Sequence, residues 1–74
     1  MPYKEPAKRL HPLVYTLRKR RYEIGMGAAE VAERIGYELS TLQAWELGTG
    51  RPTLSSLEAW ATGLGMKLEL TEAK

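Results

Sequence analysis

The sequence predicts a small all-α domain of four short helices, followed by a single β-strand at the C-terminal end. Along most of the chain, apolar residues recur at intervals of three and four, which is the spacing of one helix face. Prolines or capping residues precede these stretches and glycines follow them, as expected at helix boundaries. The final apolar residues alternate with polar ones instead, which indicates a strand. With 74 residues, the chain is long enough for one domain with a modest core.

The first helix is predicted to run from Pro12 to about Ile24. Proline suits the first turn of a helix because the backbone N–H groups there have no partner within the helix. The inward face of this helix is predicted to consist of Leu13, Leu17 and Ile24. Residues 1–11, which contain Pro2 and Pro6, are predicted to form a flexible basic arm.

The second and third helices are predicted to meet at a tight corner. A helix from about Ala28 to Ile35 carries Ala32 on the face that meets the next helix, and alanine lets two backbones approach. Gly36 follows the last periodic residue, where a left-handed conformation ends a helix. A new helix then starts near Glu38. Its inward side chains are predicted to be Leu42 and Trp45, and its outward ones Leu39, Ser40, Gln43 and Ala44.

Two helices joined by a short, glycine-containing turn form the helix-turn-helix unit, which places its second helix in the major groove of DNA. An ordinary helical hairpin also needs alanine and glycine where its helices cross closely. The corner alone therefore leaves both interpretations open.

The fourth helix is predicted to follow Pro52, with Thr53 as its N-cap and Gly65 just past its end. Its apolar stripe consists of Leu54, Leu57, Trp60, Ala61 and Leu64. Residues 12–65 thus form the folded domain.

Residues 66–74 are predicted to form a dimerisation strand and tail, because Met66, Leu68 and Leu70 share one face of an alternating pattern. A lone strand leaves its amides and carbonyls unpaired, and antiparallel pairing with the same strand of a second copy satisfies them. We therefore expect a homodimer built on this strand and on the fourth helix, through its residues Trp60 and Leu64. A fifth helix or a disordered tail is the alternative.

Charge is unevenly distributed along the chain, whose formal net charge is +2. Residues 1–21 hold seven basic residues and one glutamate, a balance of +6, whereas residues 22–74 hold four basic residues and eight glutamates, a balance of −4. A basic N-terminal part suggests a polyanionic partner, although a solvated helix face gives the same pattern. The absence of cysteine, of a signal peptide and of a membrane-length apolar run predicts a cytoplasmic protein with no membrane association.

An ordered set of residues extends the helix-turn-helix pattern over most of the chain. The set comprises Leu17 and Arg21, Gly25, Ala32 with Gly36, Ser40-Thr41-Leu42, Trp45-Glu46-Leu47-Gly48, Arg51-Pro52-Thr53 and Leu64-Gly65. From Leu17 to Gly65 the chain resembles the Cro-like, λ-repressor-like helix-turn-helix proteins, also called the XRE type. The resemblance implies a compact four-helix domain that binds double-stranded DNA.

The resemblance also implies roles for individual residues. Arg21 and Glu46 correspond to a partly buried ion pair, which makes Glu46 structural rather than a DNA contact. Trp45 and Trp60 are interpreted as core residues. Base contacts are assigned to Leu39, Ser40, Gln43 and Ala44, with Glu38 at the helix entrance. Gln43 suits adenine, Ser40 offers a donor or an acceptor, and Leu39 and Ala44 suit thymine methyl groups.

This chain departs from the family in having no arginine, lysine or asparagine on the reading face, and in having Gly27 and Ala28 where a polar residue is usual. Affinity is therefore expected to depend on backbone amides near Ala28 and on the loop containing Thr49 and Arg51. Other phosphate contacts are expected from Lys8 and Arg9 of the arm and from the run of Arg18, Lys19 and Arg20.

The residue content argues against an enzyme. With one histidine, no aspartate and no cysteine, the chain lacks the usual parts of a metal site or a nucleophile–base pair, and no cofactor is expected. His11 is interpreted as a helix cap or an exposed residue. The sequence favours a dimeric transcriptional regulator, most simply a repressor, that binds a palindromic operator. The alternatives are an antitoxin that also binds a toxin, and a protein-interaction module that does not read DNA.

Overall fold

The computed structural model of the chain describes residues 10–73 and contains four α-helices. Helix α1 spans Pro12–Glu23, α2 spans Ala28–Ile35, α3 spans Leu39–Leu47 and α4 spans Leu54–Gly63. Helix α2 packs against both α3 and α4, and α1 packs against α3. This arrangement confirms the predicted all-α, four-helix architecture. Within residues 10–73, no helix combines the length and apolar character needed to cross a bilayer.

The core is formed by one cluster of buried apolar side chains from all four helices. Its members are Val14, Leu17, Val31, Ala32, Leu42, Trp45, Trp60, Ala61 and Leu64. Trp60 lies at its centre with no exposed surface, and its ring centroid is 5.6 Å from that of Trp45. Buried aromatic rings each remove a large apolar area from water, so this pair contributes strongly to the stability of a small domain.

Helix boundaries follow the chemistry expected from the sequence. His11 caps α1, its Nδ1 accepting a hydrogen bond from the Leu13 N–H at 3.1 Å, and Pro12 occupies the first helical position. Thr53 caps α4 by accepting from the Ser56 N–H at 3.1 Å. Each helix is followed by a glycine with φ between 74° and 82°. At Gly36 this conformation, unfavourable for side chains with a Cβ, turns the chain from α2 towards α3.

The predicted inward face of α1 was right at Leu17 and wrong at its other two residues. Leu13 and Ile24 are substantially exposed, and the buried positions are Val14, Leu17, Arg18 and Arg21. Those four positions follow helical spacing, but two of them hold arginines that an apolar pattern does not include. Arginine is tolerated there because both side chains find oxygen acceptors inside the domain.

The predicted apolar stripe of α4 was wrong at its first residue, Leu54. Leu54 is 72% exposed, because it occupies the first position after the cap and points away from the core cluster. The other end of α4 is held closely: a methyl group added at Gly63 would overlap Cγ2 of Ile35 in α2. Gly63 therefore permits the close crossing of α2 and α4.

Residues 66–73 adopt neither a helix nor a strand in the single chain. Met66 and Leu68 are half-buried against the core, while the intervening Lys67 is exposed, so the alternation is present at these positions. Leu70 is 99% exposed. Strand pairing between two copies stays a prediction, as do the domain boundaries at residues 11 and 65.

Candidate nucleic-acid interface

Helix α3 is the element predicted to read DNA, and its inner face is fixed by three buried side chains. Leu42, Trp45 and Glu46 are each at most 5% exposed. Their burial leaves the opposite face open to solvent, where Leu39, Ser40 and Gln43 are all exposed. Glu38 is also exposed and precedes the helix as its N-cap residue, without a side-chain capping bond. The structure therefore brings four of the five proposed base-contacting residues to one accessible surface.

Ala44, the fifth of these residues, is half-buried beneath the loop that follows α3. Its carbonyl accepts hydrogen bonds from the N–H groups of Thr49 and Gly50, at 3.0 and 3.1 Å. A side chain at Gly50 would press within 3.1 Å of the Ala44 Cβ, so the loop lies directly against the helix. Ala44 thus anchors this loop and presents less surface than Ser40 or Gln43.

An ion pair ties α3 to α1. Arg21 donates from Nε to Glu46 Oε2 and from Nη2 to Glu46 Oε1, both at 2.7 Å, and it donates a third bond to the Met26 carbonyl at 2.9 Å. Arg18 donates to the Glu46 backbone carbonyl at 3.3 Å. The hydrogen bond to Glu46 raises the pKa of Arg21 above its ordinary value, against the lowering effect of burial. Helix α3 is consequently held at a fixed angle to α1.

The run Arg18, Lys19 and Arg20 does not form the expected cationic surface. Arg18 is buried, and Arg20 is half-buried with its Nε donating to the Leu64 carbonyl at 3.4 Å. Lys19 alone of the three is exposed. The prediction of a phosphate-binding run was wrong for Arg18, because i, i+3 spacing places it beside Arg21 on the inward face.

Little free positive charge remains on the described part of the chain. Residues 10–73 contain seven arginines and lysines against eight glutamates, a formal balance of −1. Arg51 is exposed on the loop after α3, next to the exposed Thr49. The proposed arm contacts Lys8 and Arg9 lie outside the described residues.

At the start of α2, backbone groups rather than side chains are the candidates for binding a phosphate. Its N-cap, Gly27, makes no side-chain capping bond, and apart from its chain neighbours no atom lies within 4 Å of where a Cβ would be. Ala28 is half-buried against the core. The first amides of a helix lack partners within the helix and carry its positive dipole end, which suits an anion.

Comparison with known proteins agrees with this geometry. A family model described as a helix-turn-helix domain matches residues 13–73. The chain belongs to this helix-turn-helix family. The match confirms the helix-turn-helix domain that the motif residues indicated. No curated protein sequence matches the chain.

Solved structures share the helix-turn-helix fold at low sequence identity. A HipB variant in complex with an O2 20mer superposes with a TM-score of 0.77 at 24% identity, covering 99% of this chain and 100% of that chain. A chain of the HipA-HipB-O2-O3 complex gives 0.76 at 18% identity, covering 90% and 99%. The wild-type restriction-modification controller protein C.Esp1396I gives 0.70 at 24% identity, covering 74% and 72%.

Tyr37 is a candidate contact that sequence reasoning missed. It lies in the turn of the helix-turn-helix motif, 37% exposed, with its ring edge-on to Trp45 at a centroid distance of 5.0 Å. Together with Glu38 and Leu39 it lines a shallow cleft of about 380 Å³ at the corner. An aromatic residue two positions before the start of α3 was the available signal.

The residues predicted for dimerisation separate into two groups. Trp60 and Leu64 are buried in the core of the single chain, so neither side chain has free surface for a partner. Met66 and Leu68 keep part of their surface, and Leu70 keeps nearly all of it. In the described part of the chain, no group of acidic or histidine side chains is arranged to hold a metal ion.

Proposed function

We propose that this chain is a sequence-specific DNA-binding transcriptional regulator whose α3 lies in the major groove. The exposed outer face of α3, opposite a face fixed by Leu42, Trp45 and the Arg21–Glu46 pair, is the observation that carries the proposal. A helix held this rigidly loses little freedom on binding, which favours a specific complex. The motif geometry is the one in which the second helix contacts base edges.

Sequence-independent affinity is proposed to come from outside α3. Exposed Arg51 and Thr49 follow α3, and the backbone amides at the start of α2, which no side chain caps, begin the motif. The basic residues Lys8 and Arg9 add charge that residues 10–73 do not supply. Since phosphate neutralisation governs the salt dependence of DNA binding, these groups set how steeply affinity falls with salt.

The active form is proposed to be a homodimer that represses transcription from a palindromic operator in the cytoplasm, without enzymatic activity or a cofactor. Leu70 supports this, because a large apolar side chain that is 99% exposed has no partner within residues 10–73. Pairing of residues 66–71 with a second copy would cover it. To read two half-sites, such a dimer must hold its α3 helices about one DNA turn, roughly 34 Å, apart.

A second candidate function is that of an antitoxin. Its support is the full-length similarity to a HipB variant bound to an O2 20mer, together with the similarity to a chain of the HipA-HipB-O2-O3 complex. A protein of this class would bind its operator and a toxin through different surfaces. Co-purification of this chain with the product of an adjacent open reading frame, at fixed stoichiometry, is the expected result for an antitoxin.

The decisive experiment is selection of bound fragments from a random DNA pool with the purified chain. We expect enrichment of a symmetric site, with affinity that falls steeply as salt increases. Gln43→Ala should change the enriched sequence, while the matched change Glu58→Ala, on exposed α4 surface, should not. Failure to bind any DNA at low salt, with salt-insensitive binding of a protein partner instead, would identify a protein-interaction module and overturn the proposal.

A further inference from the structure

A groove lies where the N-terminal end of α1, the loop after α3 and the start of α4 meet. Its volume is about 460 Å³. Sites for small ligands are concave, mostly apolar and about 300–1,000 Å³ in volume, so the groove has the size of such a site. Its apolar lining consists of Leu10, Leu13, Val14, Trp45, Pro52 and Leu57.

The polar side chains that line the groove are both hydrogen-bond donors. Arg51 is exposed and pairs with no carboxylate among residues 10–73. His11 accepts the Leu13 N–H with Nδ1, so the proton of its neutral ring lies on Nε2, which can donate. No carboxylate from the described residues lines the groove. A ligand that complements these groups must therefore supply acceptor atoms and negative charge.

The apolar part of the groove suits an aromatic ring. A Cβ at Gly50 would contact Cδ1 of Trp45 at 3.7 Å, so glycine at this position leaves that edge of the indole open to the groove. Aromatic rings pack on one another in offset or edge-on arrangements. Leu13 is 43% exposed and lies outside the core cluster, so the domain leaves this part of the wall uncovered.

We propose that this groove is an effector site for a small aromatic carboxylate, whose ring lies against Leu13 and Trp45 and whose carboxylate pairs with Arg51. Arg51 is also a proposed phosphate contact, and one guanidinium cannot neutralise both a ligand carboxylate and a DNA phosphate. The ligand therefore weakens operator binding, and DNA weakens ligand binding by the same factor. This consequence rests on the proposed function, whereas ligand binding itself does not.

Phenylacetate and its neutral amide, phenylacetamide, test the site because they differ only in the group that would meet Arg51. Both are titrated into the full isotope-labelled chain and followed by NMR. A ligand of about ten non-hydrogen atoms is expected to bind in the millimolar to micromolar range. The amide signals of Gly48 and Gly50 and the indole N–H signal of Trp45 should shift, and that of Trp60, which does not line the groove, should shift less. Pairing with Arg51 should favour phenylacetate by about three- to fivefold, the upper range for an exposed ion pair.

Three variants separate the charged from the apolar part of the contact. Arg51→Ala should bind the two ligands equally. Lys19→Ala, which removes an exposed cation of α1 outside the groove, should keep the preference for phenylacetate. Leu13→Ala should weaken both ligands alike, because it shortens the apolar wall and leaves the charge in place. None of these side chains belongs to the core cluster, so thermal unfolding of each variant should match the parent chain.

The regulatory consequence is tested on the selected operator by fluorescence anisotropy. Sodium phenylacetate should lower the affinity of the chain for this DNA more than sodium acetate at equal concentration, which controls for ionic strength. Phenylacetate binding that leaves operator affinity unchanged would overturn the regulatory role. Ligand binding by a chain that binds no DNA would support the site and overturn the proposed function instead.

Other results would overturn the site itself. These are failure of phenylacetate to bind, equal binding of the two ligands to the parent chain, and a preference for the carboxylate that survives Arg51→Ala. Shifts of the Gly48 and Gly50 signals with protein concentration alone would assign the groove to a second copy of the chain and exclude an effector site.

Discussion

Arg21 of α1 and Glu46 of α3 form a bidentate ion pair, with both oxygen–nitrogen distances 2.7 Å and both residues at most 8% exposed. Two parallel charge-assisted hydrogen bonds fix the orientation of both side chains as well as their separation. The partners lie 25 positions apart in the sequence, so the pair joins the first and third helices directly. Helix α3 is thereby positioned by electrostatics as well as by packing.

Glu46→Ala is expected to destabilise the domain strongly. Removing one partner leaves a buried guanidinium uncompensated, which costs about 3–5 kcal/mol when burial is complete. Urea denaturation followed by tryptophan fluorescence measures the change, and Glu58→Ala on exposed α4 surface is the control. A loss equal to that of the control would mean that the pair contributes nothing to stability.

Gly63→Ala is expected to separate α2 from α4, because the new methyl group would overlap Cγ2 of Ile35. Overpacking of this kind costs about 1–3 kcal/mol. The double variant Gly63→Ala with Ile35→Ala removes the obstructing methyl, so its loss should be smaller than the sum of the two single losses. Additive losses in denaturant titrations would show that the two sites do not interact.

Gly27→Ser is expected to stabilise α2. Gly27 has φ −76° and ψ 153°, with open space around its Cβ position, so serine fits there without strain. The Ser-x-x-Glu sequence formed with Glu30 is a capping box, and replacing an N-cap glycine by serine contributes a few tenths of a kcal/mol. A higher Tm by calorimetry is the expected result, while Gly27→Ala, which offers no acceptor, should not raise it.

Arg51→Ala is expected to change DNA binding but not stability, whereas Arg18→Ala is expected to change stability. Arg51 is exposed, so its loss should weaken binding to all DNA sequences alike and reduce the salt slope by about 1, without changing stability. Arg18 is buried and bonded to the Glu46 carbonyl, so its loss should lower the free energy of unfolding. Salt-dependent anisotropy titrations and urea denaturation of both variants separate the two roles. Unchanged salt slopes for Arg51→Ala would remove this residue from the interface.

Leu70→Asp is expected to convert the proposed dimer into monomers, because a carboxylate would lie where two strands meet. The side chain is almost fully exposed in the single chain, so the monomer itself should remain folded. Sedimentation velocity measures the change, with Glu72→Ala as the control in the same exposed segment. A Leu70→Asp chain that still sediments as a dimer would place the interface elsewhere.

Much of the fold could be predicted from local signals. Gly36, Thr53 and Pro12 act within one turn of the backbone, so the sequence around them was sufficient to locate the helix boundaries. The interior of α1 could not be predicted in this way. Arg18 is buried where it donates to the backbone carbonyl of Glu46, and Arg21 where it pairs with the Glu46 carboxylate. Hydrophobic periodicity does not reveal such relationships between distant positions.

Part of the candidate interface could also be predicted from the sequence, and part could not. Leu39, Ser40 and Gln43 are exposed as predicted, since the helical period determines which side chains face out. Tyr37 was missed because its contact with Trp45 depends on how the corner folds back on α3. Trp60 lies in the core, as one of its two interpretations predicted, but it and Leu64 were also assigned to a dimer interface, because an apolar stripe does not reveal which neighbour covers it.

The end of α4 is held by two arginines, since Arg34 of α2 donates to the Gly63 carbonyl and Arg20 of α1 to the Leu64 carbonyl. The C-terminal segment therefore leaves the domain from a point fixed relative to the first two helices. In a dimer joined through that segment, the length of the segment would set the distance between the two α3 helices. Inserting one residue after Gly65 should then alter the preferred distance between operator half-sites and leave the preferred bases within each half-site unchanged.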